Sequence, residues 1–309
     1  MEDEKEKLGI YTMLDLSIII VSYNTKDFLR KCLESLQKNL SKKLKVEIIV
    51  VDNNSSDDST DMVKEKFPDV MLIANKENLG FSKANNLGIE KSAGKYVLFL
   101  NPDTEVPQNT VEELLNFMDG HQDCAASTGK VVMPNGELDD AAHRGFPTPW
   151  NAITHFSGLS KVFPKSKLFT GYSLGWMDID SVHEIDACAG AFMLVRREGG
   201  KEVQWWDEDF FWYGEDLDFC YRLKQKGWKI YYVPAVSILH YKGVSGGIKK
   251  HSQGISTASK ETKIRATKAR FQAMRIFYRK HYVQKYSQLL TWFIMQGVNI
   301  KEWITLKSL

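Results

Sequence analysis

Short apolar runs alternate with amphipathic segments through the first hundred residues of the chain. Four runs rich in β-branched and aromatic residues predict buried strands at residues 16–21, 46–51, 70–74 and 96–100. The intervening segments carry apolar residues at helical spacing and predict helices at residues 26–39, 58–67 and 82–92. Ser82 is the expected N-cap of the last helix. This alternation predicts a parallel α/β sheet with right-handed crossovers.

The pattern is less regular in the second half. It predicts one helix from Pro107 to about Asp119 and another ending near Lys226, where Gly227 terminates it. Strands are expected at residues 124–133, 185–195, 228–233 and 236–240, with Pro234 separating the last two. Residues 141–180 lack clear periodicity and hold seven aromatic residues. A connection this long is usually a lid or another functional segment.

The composition restricts the class of protein but does not identify a function. Of the 309 residues, 43% are hydrophobic and 26% are charged, which is ordinary for a globular α/β protein of one large or two smaller domains. The four cysteines form no C-x-x-C pair and favour a reduced, cytoplasmic protein over a disulfide framework or a zinc site. The first eight residues lack an apolar signal core, and no 18-residue apolar window predicts a transmembrane helix.

The charge is unevenly distributed along the chain. From Tyr241 onward there are 14 Lys and Arg residues against 2 Asp and Glu residues, a net charge of +12. Since the whole chain carries +2, the remainder carries −10. An acidic body with a basic tail predicts a negatively charged partner for the tail. Nucleic acid is disfavoured because the acidic body would repel its backbone.

Polar clusters follow the four predicted strands of the first half. They lie at residues 23–24, 52–57, 78–81 and 101–103. The carboxyl ends of parallel strands share one edge, where open α/β sheets bind ligands, so the clusters together predict a nucleotide crevice. Asp103 is placed to hold a divalent cation on a substrate phosphate, or is a simple turn aspartate. The chain has neither a Gly-x-Gly-x-x-Gly motif after the first strand nor a Walker Gly-Lys-Ser/Thr motif.

These clusters and several later motifs resemble the family 2 glycosyltransferases of the GT-A fold. The matching segments are residues 17–24 (SIIIVSYN), 51–57 (VDNNSSD), 78–86 (NLGFSKANN), 100–103 (LNPD), 189–197 (AGAFMLVRR), 210–218 (FFWYGEDLD) and 239–240 (LH). The likeness covers about residues 15–242 and is greatest to the rhamnosyltransferase-like branch, which uses dTDP- or UDP-sugars. One departure is residues 197–207, which look shortened against the family pattern.

The resemblance implies a GT-A architecture with a mostly parallel central sheet, helices on both faces and a C-terminal helical extension. Together with the composition outside the matched region, it divides the chain into a leader (1–14), a catalytic domain (15–242), a flexible linker (243–259) and a basic, amphipathic helical tail (260–309). Within the catalytic domain, residues 15–104 form the expected nucleotide-binding half and residues 105–242 the acceptor-binding half.

The family's D-x-D motif corresponds here to Asn101-Pro102-Asp103, with an amide in place of the first carboxylate. The resemblance implies that Asp103 binds Mn²⁺ or Mg²⁺ and that His240 is a second ligand, in which case the imidazole favours Mn²⁺. The alternative for His240 is a strand-end histidine hydrogen-bonded to its surroundings. With one carboxylate fewer, the site is expected to stay nearly metal-free until the nucleotide sugar arrives.

The same resemblance assigns the nucleotide contacts. Asp52 is expected to accept the N3–H of uracil or thymine, or else to form an Asx turn, and Tyr23 to stack on or flank the base. Lys83 is expected to reach the diphosphate or to be a solvated surface lysine. The other residues expected at the nucleotide sugar are Ser22, Asn24, Asn54, Asp57, Asn78, Gly80, Phe81, Asn85, Asn101 and Gly190.

The family's E-D motif implies Asp216 as the general base of an inverting transfer, with Glu215 as its rival. A helix N-terminus at this point would stabilise the ionised carboxylate. The alternative is structural: Glu215, Asp216 and Asp218 are acids that stabilise the first turn of a helix, and Asp218 forms an i,i+4 pair with Arg222. Trp212 and Tyr213 are expected to form a wall of the acceptor site or to pack in the core.

The predicted function is therefore inverting transfer of a sugar from a UDP- or dTDP-sugar, including dTDP-rhamnose, to a hydroxyl of a glycan or lipid-linked glycan. The alternative is a catalytically weak, nucleotide-sugar-binding scaffold subunit of a glycan-assembly complex. A nucleotidyltransferase is disfavoured, because this chain has no Gly-rich, Arg/Lys-bearing signature near its first strand. The basic, Trp-bearing segment 260–309 predicts peripheral attachment to an anionic membrane surface at its cytoplasmic face. Packing of this segment on the catalytic body, or on a second subunit in a homodimer, is the competing arrangement.

Overall fold

The computed structural model describes residues 14–243, 256 and 258–308. Its nine strands are β1 (Leu16–Ser22), β2 (Val46–Asp52), β3 (Met71–Ala74), β4 (Tyr96–Leu100), β5 (Thr104–Glu105), β6 (Cys124–Val132), β7 (His183–Ile185), β8 (Phe192–Arg196) and β9 (Lys229–His240). Its α-helices are α1 (Lys26–Asn39), α2 (Ser59–Lys66), α3 (Phe81–Glu90), α4 (Thr110–Gly120), α5 (Pro149–Phe156), α6 (Leu159–Val162), α7 (Arg197–Glu202), α8 (Glu215–Gln225), α9 (Lys260–His281) and α10 (Gln288–Lys307). Most of the predicted leader and linker lies outside the described residues.

All nine strands belong to one sheet, in which β7 pairs with β9 beside the path β3-β2-β1-β4-β8-β6-β9-β5. The first half, β3 to β4, is wholly parallel. Its register sets Ser22 beside Asp52 at the carboxyl edge. The second half is mixed, because β8 runs antiparallel to both β4 and β6, and β9 runs parallel to β6. The predicted α/β fold class is confirmed, and the motif-bearing strand ends share one edge.

Apolar residues at alternate positions of β1 pack into two separate hydrophobic cores. Ile18 and Ile20 join a cluster with α1 and α4, whereas Ile19 joins a cluster with α3 and α8. This alternation follows from the period-two geometry of a strand, and it places helices on both faces of the sheet. The helix α1 buries Leu29 and Leu33 on the face that the sequence pattern predicts.

Three local predictions were wrong. The helix α3 begins at Phe81 after Gly80, so Ser82 is not its N-cap, and the Ser82 hydroxyl is buried without a partner. The segment 185–195 is not one strand. β7 ends at Ile185 and pairs with β9, whereas β8 begins at Phe192 and pairs with β4 and β6. The stretch around Pro234 is one continuous strand, β9. Its register against β6 shifts between Thr128 and Lys130, so the missing Pro234 N–H falls where the ladder is irregular.

The C-terminal helix α9 packs on the catalytic body. Phe277 and Tyr278 of α9 form a cluster with Phe210 and with Tyr221 of α8. His281 and the buried Asp218 carboxylate approach to 2.7 Å. The body-packed arrangement is therefore observed for α9, whereas α10 has no buried residue along its 20 positions. Within the described ranges, no helix is long and apolar enough to cross a membrane.

Candidate active site

A cavity of about 490 Å³ opens at the carboxyl edge of β1, β2 and β4. Its lining includes Tyr23 after β1, Asp103 after β4, and Asp216 in the first turn of α8. Residues of α5, α9 and α10 complete the lining, so the tail contributes to the cavity directly. The cavity therefore gathers residues from both predicted halves of the catalytic domain and from the tail.

Asp52 is the buried anchor of the loop that follows β2, with 2% of its surface exposed. Its Oδ2 accepts a hydrogen bond from the Ser55 amide at 2.8 Å, while its Oδ1 is buried without a partner. Asn24 closes the loop from the other side, because its Oδ1 accepts from the Ser56 amide at 2.8 Å. A buried carboxylate oxygen without a donor is a free acceptor for a ligand N–H.

Asp52 and Asn24 lie outside the cavity lining, and so do three other predicted nucleotide residues, which support these loops. The Ser22 hydroxyl and the Thr25 hydroxyl lie 2.9 Å apart at the start of α1. The Asp57 carboxylate accepts from the Lys26 amide at 2.8 Å, which ties the turn to the same helix. Asn54 adopts a left-handed backbone with φ of 65°. These contacts shape the base loop from behind.

Two further residues lie on α3. Asn85 is buried and donates from Nδ2 to the Phe81 carbonyl at 3.0 Å, a helix-internal contact. Lys83 is exposed, as its solvated alternative predicts. Neither residue lines the cavity.

The loop before α3 docks tightly on the opposite wall. Gly80 has φ of +83°, and a Cβ added there would lie 2.5 Å from the carbonyl oxygen of Phe211. The Phe81 amide donates to that same oxygen at 2.9 Å. Asn78 and Asn53 hold the loop, through hydrogen bonds with the Gly80 amide at 2.9 Å and the Gly80 carbonyl at 3.0 Å. Only glycine fits this close approach without strain.

Gly190 contributes to the cavity lining beside Phe81. A Cβ added to Gly190 would meet the Phe81 ring at 3.2 Å, and both residues line the cavity. The neighbouring segment that looked shortened in the sequence forms α7, which is followed by the buried Trp206. A larger residue at Gly190 would press on the Phe81 ring.

His240 lies between two carboxylates at the end of β9. Its Nε2 lies 3.3 Å from Asp103 Oδ1, and its Nδ1 lies 3.2 Å from Asp139 Oδ2. Burial alone lowers the pKa of His240, but the Asp103 and Asp139 carboxylates raise it to about 9. The Asn101 amide nitrogen lies 3.4 Å from Nε2. Lys242 binds the other Asp139 oxygen and so holds this carboxylate in place beside the imidazole.

The opposite wall carries the paired acids at the start of α8. Arg144 donates from Nη2 to Asp216 Oδ2 at 2.5 Å, and both side chains are buried. Asp216 Oδ1 accepts from the Leu217 amide at 2.7 Å. Burial, together with the negative charge of Asp216, raises the pKa of Glu215 to about 8. The two neighbouring acids therefore differ: Asp216 belongs to an ion pair, and Glu215 holds its proton at neutral pH.

Trp212 and Tyr213 precede these acids and both line the cavity. Their rings stack with centroids 5.6 Å apart and planes 3° apart. Tyr213 has φ of 74°, a strained backbone for a non-glycine residue. The helix α9 supports this loop, because the Arg265 guanidinium lies 4.5 Å from the Phe211 ring centroid. A Cβ on Gly214 would lie 3.0 Å from Ala273 of α9.

The charged lining residues that the sequence analysis missed are Asp139, Asp140, Arg144, Lys242 and Arg270. Asp139 follows β6 and its turn, so its place at a strand end was a usable signal. Arg144 lies in the aperiodic stretch and reaches its partner, Asp216, across 72 positions. Arg270 lies on α9, whose docking the sequence pattern does not reveal.

Comparisons with known proteins agree with this geometry. The sequence family described as Glycosyl transferase family 2 matches residues 17–185. An N-acetylglucosaminyl-diphospho-decaprenol L-rhamnosyltransferase of Mycobacterium tuberculosis is 28% identical over 243 residues, covering 75% of this chain and 78% of that protein. The rhamnosyltransferase WbbL of Escherichia coli is 28% identical over 233 residues, covering 72% of this chain and 82% of that protein.

Solved structures show the same fold at lower identity. GalNAc-T7, crystallised with UDP, GalNAc and Mn²⁺, superposes with a TM-score of 0.56 at 19% identity, covering 83% of this chain and 50% of that chain. Residues 1–349 of Staphylococcus aureus TarS superpose with a TM-score of 0.51 at 15% identity, covering 94% of this chain and 81% of that chain. The architecture is that of GT-A glycosyltransferases.

Proposed function

Because this chain belongs to glycosyltransferase family 2, in its rhamnosyltransferase-like branch, we propose that it transfers a sugar from a UDP- or dTDP-sugar to an acceptor hydroxyl. dTDP-rhamnose is one donor of this class, and inversion at the sugar carbon is typical of the family. One observation carries the proposal. A single cavity brings together the Asp103 and His240 pair and the Glu215 and Asp216 pair, from strand and helix ends far apart in sequence.

The donor base is proposed to bind at the loop after β2. Asp52 Oδ1 is buried and lacks a donor, and uracil and thymine both present an N3–H that would satisfy it. Tyr23 lines the cavity, where it is positioned to flank the base. The supporting contacts of Ser22, Asn24 and Asp57 hold this loop in shape before the nucleotide arrives.

Asp103 and His240 are the residues proposed to hold a divalent cation, Mn²⁺ or Mg²⁺. Their donor set fits once His240 has released its Nε2 proton, because a carboxylate oxygen and an imidazole nitrogen lie 3.3 Å apart and Asp139 orients the ring from behind. The described residues contain no cluster of three or more His, Cys, Asp or Glu ligands, so donor phosphate oxygens would complete the coordination. When bound, the cation supplies neutralisation of the charge on the departing diphosphate.

Asp216 is the proposed general base, which takes the proton of the acceptor hydroxyl as the hydroxyl attacks the sugar. Glu215 is protonated at neutral pH, since its pKa is about 8, and it is suited to donating a hydrogen bond to the acceptor. Environments that separate two neighbouring carboxyl groups in this way assign them different roles. Arg144 positions Asp216 through the 2.5 Å contact, and Trp212 and Tyr213 offer a stacked wall to the acceptor.

The acceptor is proposed to be a glycan or a lipid-linked glycan, and the enzyme to work peripherally at a membrane. The mycobacterial relative, an N-acetylglucosaminyl-diphospho-decaprenol L-rhamnosyltransferase, supports this class of acceptor. The net charge of +12 from Tyr241 onward gives the chain an electrostatic attraction to anionic surfaces.

The test measures nucleotide release and sugar transfer from a panel of UDP- and dTDP-sugars with Mn²⁺ or Mg²⁺. Asp103→Ala and Asp216→Asn are each expected to lower turnover by about 10²-fold or more. Asp69→Asn, a change at an exposed position after α2, is the matched control and should retain wild-type turnover. Full activity of Asp216→Asn would defeat the base assignment, and undetectable nucleotide binding by calorimetry would favour the scaffold alternative.

A further inference from the structure

Two helices that contribute to the cavity lining, far apart in sequence, also expose apolar side chains. α5 exposes Trp150, Ile153 and Phe156, and α10 exposes Trp292, Ile300 and Trp303. Each of these six side chains is between 46% and 59% exposed. Lys301 of α10 lies 5.1 Å from the Phe156 ring centroid, so α10 approaches the last residue of α5. We call these six exposed residues of α5 and α10 the apolar rim.

The apolar rim is continuous with the inside of the cavity. Phe156 is 48% exposed and also lines the cavity. On α10, Ile294 and Val298 line the cavity while Trp292 and Trp303 lie on the outward side, as a period of 3.6 residues requires. The gap between α5 and α10 therefore joins the surface to the active site.

The inner wall behind this gap is itself apolar. Met274 and Phe277 of α9 face the cavity together with Ile294, Met295 and Val298 of α10. The donor residues described above are polar and lie at the other end. A nucleotide sugar has no apolar part that would cover this wall, and an exposed apolar wall costs free energy unless an apolar ligand covers it. A second substrate with a hydrocarbon part meets that requirement.

Charge around the rim identifies the partner. The 33 residues from 145 to 177 include Lys161, Lys165 and Lys167 and contain no Asp or Glu. On α10 the one acid, Glu302, is paired with Arg275, which leaves Lys301 and Lys307. Exposed tryptophans beside lysines match the interface of a membrane with anionic headgroups. A second copy of the same face would instead bring like charges together.

Resting on the proposed function, we propose that the apolar rim docks on an anionic membrane and admits the hydrocarbon chain of a lipid-linked acceptor between α5 and α10. The acceptor hydroxyl then reaches Asp216 while the end of the chain stays in the bilayer. Docking involves α5 as well as the tail, so membrane contact is a property of the rim and not of residues 260–309 alone.

Vesicle flotation of the full chain, without donor or metal, tests the surface. Wild-type protein is expected to float with phosphatidylcholine vesicles that contain phosphatidylglycerol, and less with phosphatidylcholine alone. Ile153→Glu on α5 and Trp303→Glu on α10 should each lower the bound fraction about 10-fold, because a buried charge replaces apolar contact. Met71→Glu is the matched control, since Met71 is 44% exposed on β3 at the far edge of the sheet.

The proposal is overturned if either rim variant floats with vesicles as well as the wild type does. It is also overturned if light scattering finds a wild-type dimer which both variants convert to monomer, with no vesicle binding in any sample. The latter result would assign the rim to self-association.

A second readout separates this proposal from the proposed function. Ile153→Glu and Trp303→Glu should leave donor hydrolysis in solution unchanged, while sugar transfer to a polyprenyl-linked acceptor in vesicles falls about 10-fold, in step with binding. Transfer to a short water-soluble acceptor should not change. If both variants lose vesicle binding but the wild type shows no donor turnover, the membrane-docking role of the rim is supported and the glycosyl transfer is refuted. If sugar transfer in vesicles is unchanged in both variants, the docking role of the rim is refuted.

Discussion

Glu215 makes the stability of this protein depend on pH in an unusual direction, and Glu215→Gln exposes the effect. The side chain is 8% exposed, and its Oε2 is buried without a hydrogen-bond partner. Burial and the negative charge of Asp216 raise its pKa from 4.5 to about 8. Glutamine keeps the shape of the protonated acid but has no proton to lose.

The sign follows from proton binding. Between pH 4.5 and 8 the folded protein keeps the Glu215 proton and the unfolded chain has lost it. Because the folded state binds more protons, the free energy of unfolding falls as pH rises, by ~1.4 kcal/mol for each pH unit. The wild type should therefore lose ~4 kcal/mol between pH 5 and pH 8 through this one group.

Urea unfolding followed by tryptophan fluorescence at pH 5 and pH 8 measures the effect. The free energy of unfolding of Glu215→Gln, relative to wild type, should increase by ~4 kcal/mol from pH 5 to pH 8. Glu90→Gln on the exposed surface of α3 is the control, and its difference from wild type should stay constant. If the curves of Glu215→Gln and wild type run parallel across this range, Glu215 is not held protonated and the division of roles with Asp216 fails.

Three further predictions concern contacts described above. Asp52→Ala should weaken UDP or dTDP binding by ~10–100-fold, measured by calorimetry, through loss of a charge-assisted hydrogen bond worth ~1.5–3 kcal/mol; unchanged affinity would remove the base from this loop. Gly80→Ala should destabilise the protein by ~1–3 kcal/mol in thermal unfolding, because φ is +83° and the new Cβ meets the Phe211 carbonyl; an unchanged Tm contradicts it. His281→Ala should lower the free energy of unfolding in urea by ~1–3 kcal/mol, since buried Asp218 loses a partner at 2.7 Å; a neutral effect would mean that α9 is not held there.

The first-half strands and the polar clusters after them were predictable because their signals are local. The strands β1 to β4 are continuous apolar runs, and a polar cluster follows each run, so the position of Asp103 followed from Pro102. The helix α1 runs over Lys26–Asn39 as predicted. A parallel sheet then brings the strand ends together without any knowledge of side-chain contacts.

The second half was less predictable, because its decisive contacts are long-range. Arg144 reaches Asp216 across 72 positions, and no periodicity in the aromatic stretch shows this pairing. The split between β7 and β8 depends on which neighbour each strand pairs with, and apolar composition does not encode that choice. The docking of α9 depends on the packing of Phe277 beside Tyr221, whereas its sequence reads only as basic and amphipathic.

The position of β9 determines when the site comes into existence. This strand inserts between β6 and β5, and its last residue, His240, pairs with Thr104 beside Asp103. During synthesis, β1 to β4 emerge with the Asp52 loop long before residue 240 leaves the ribosome, whereas the Asp103 and His240 pair forms only when β9 closes the sheet. A chain that ends before β9 would therefore contain the loop proposed to bind the base but would lack the pair proposed to bind the cation.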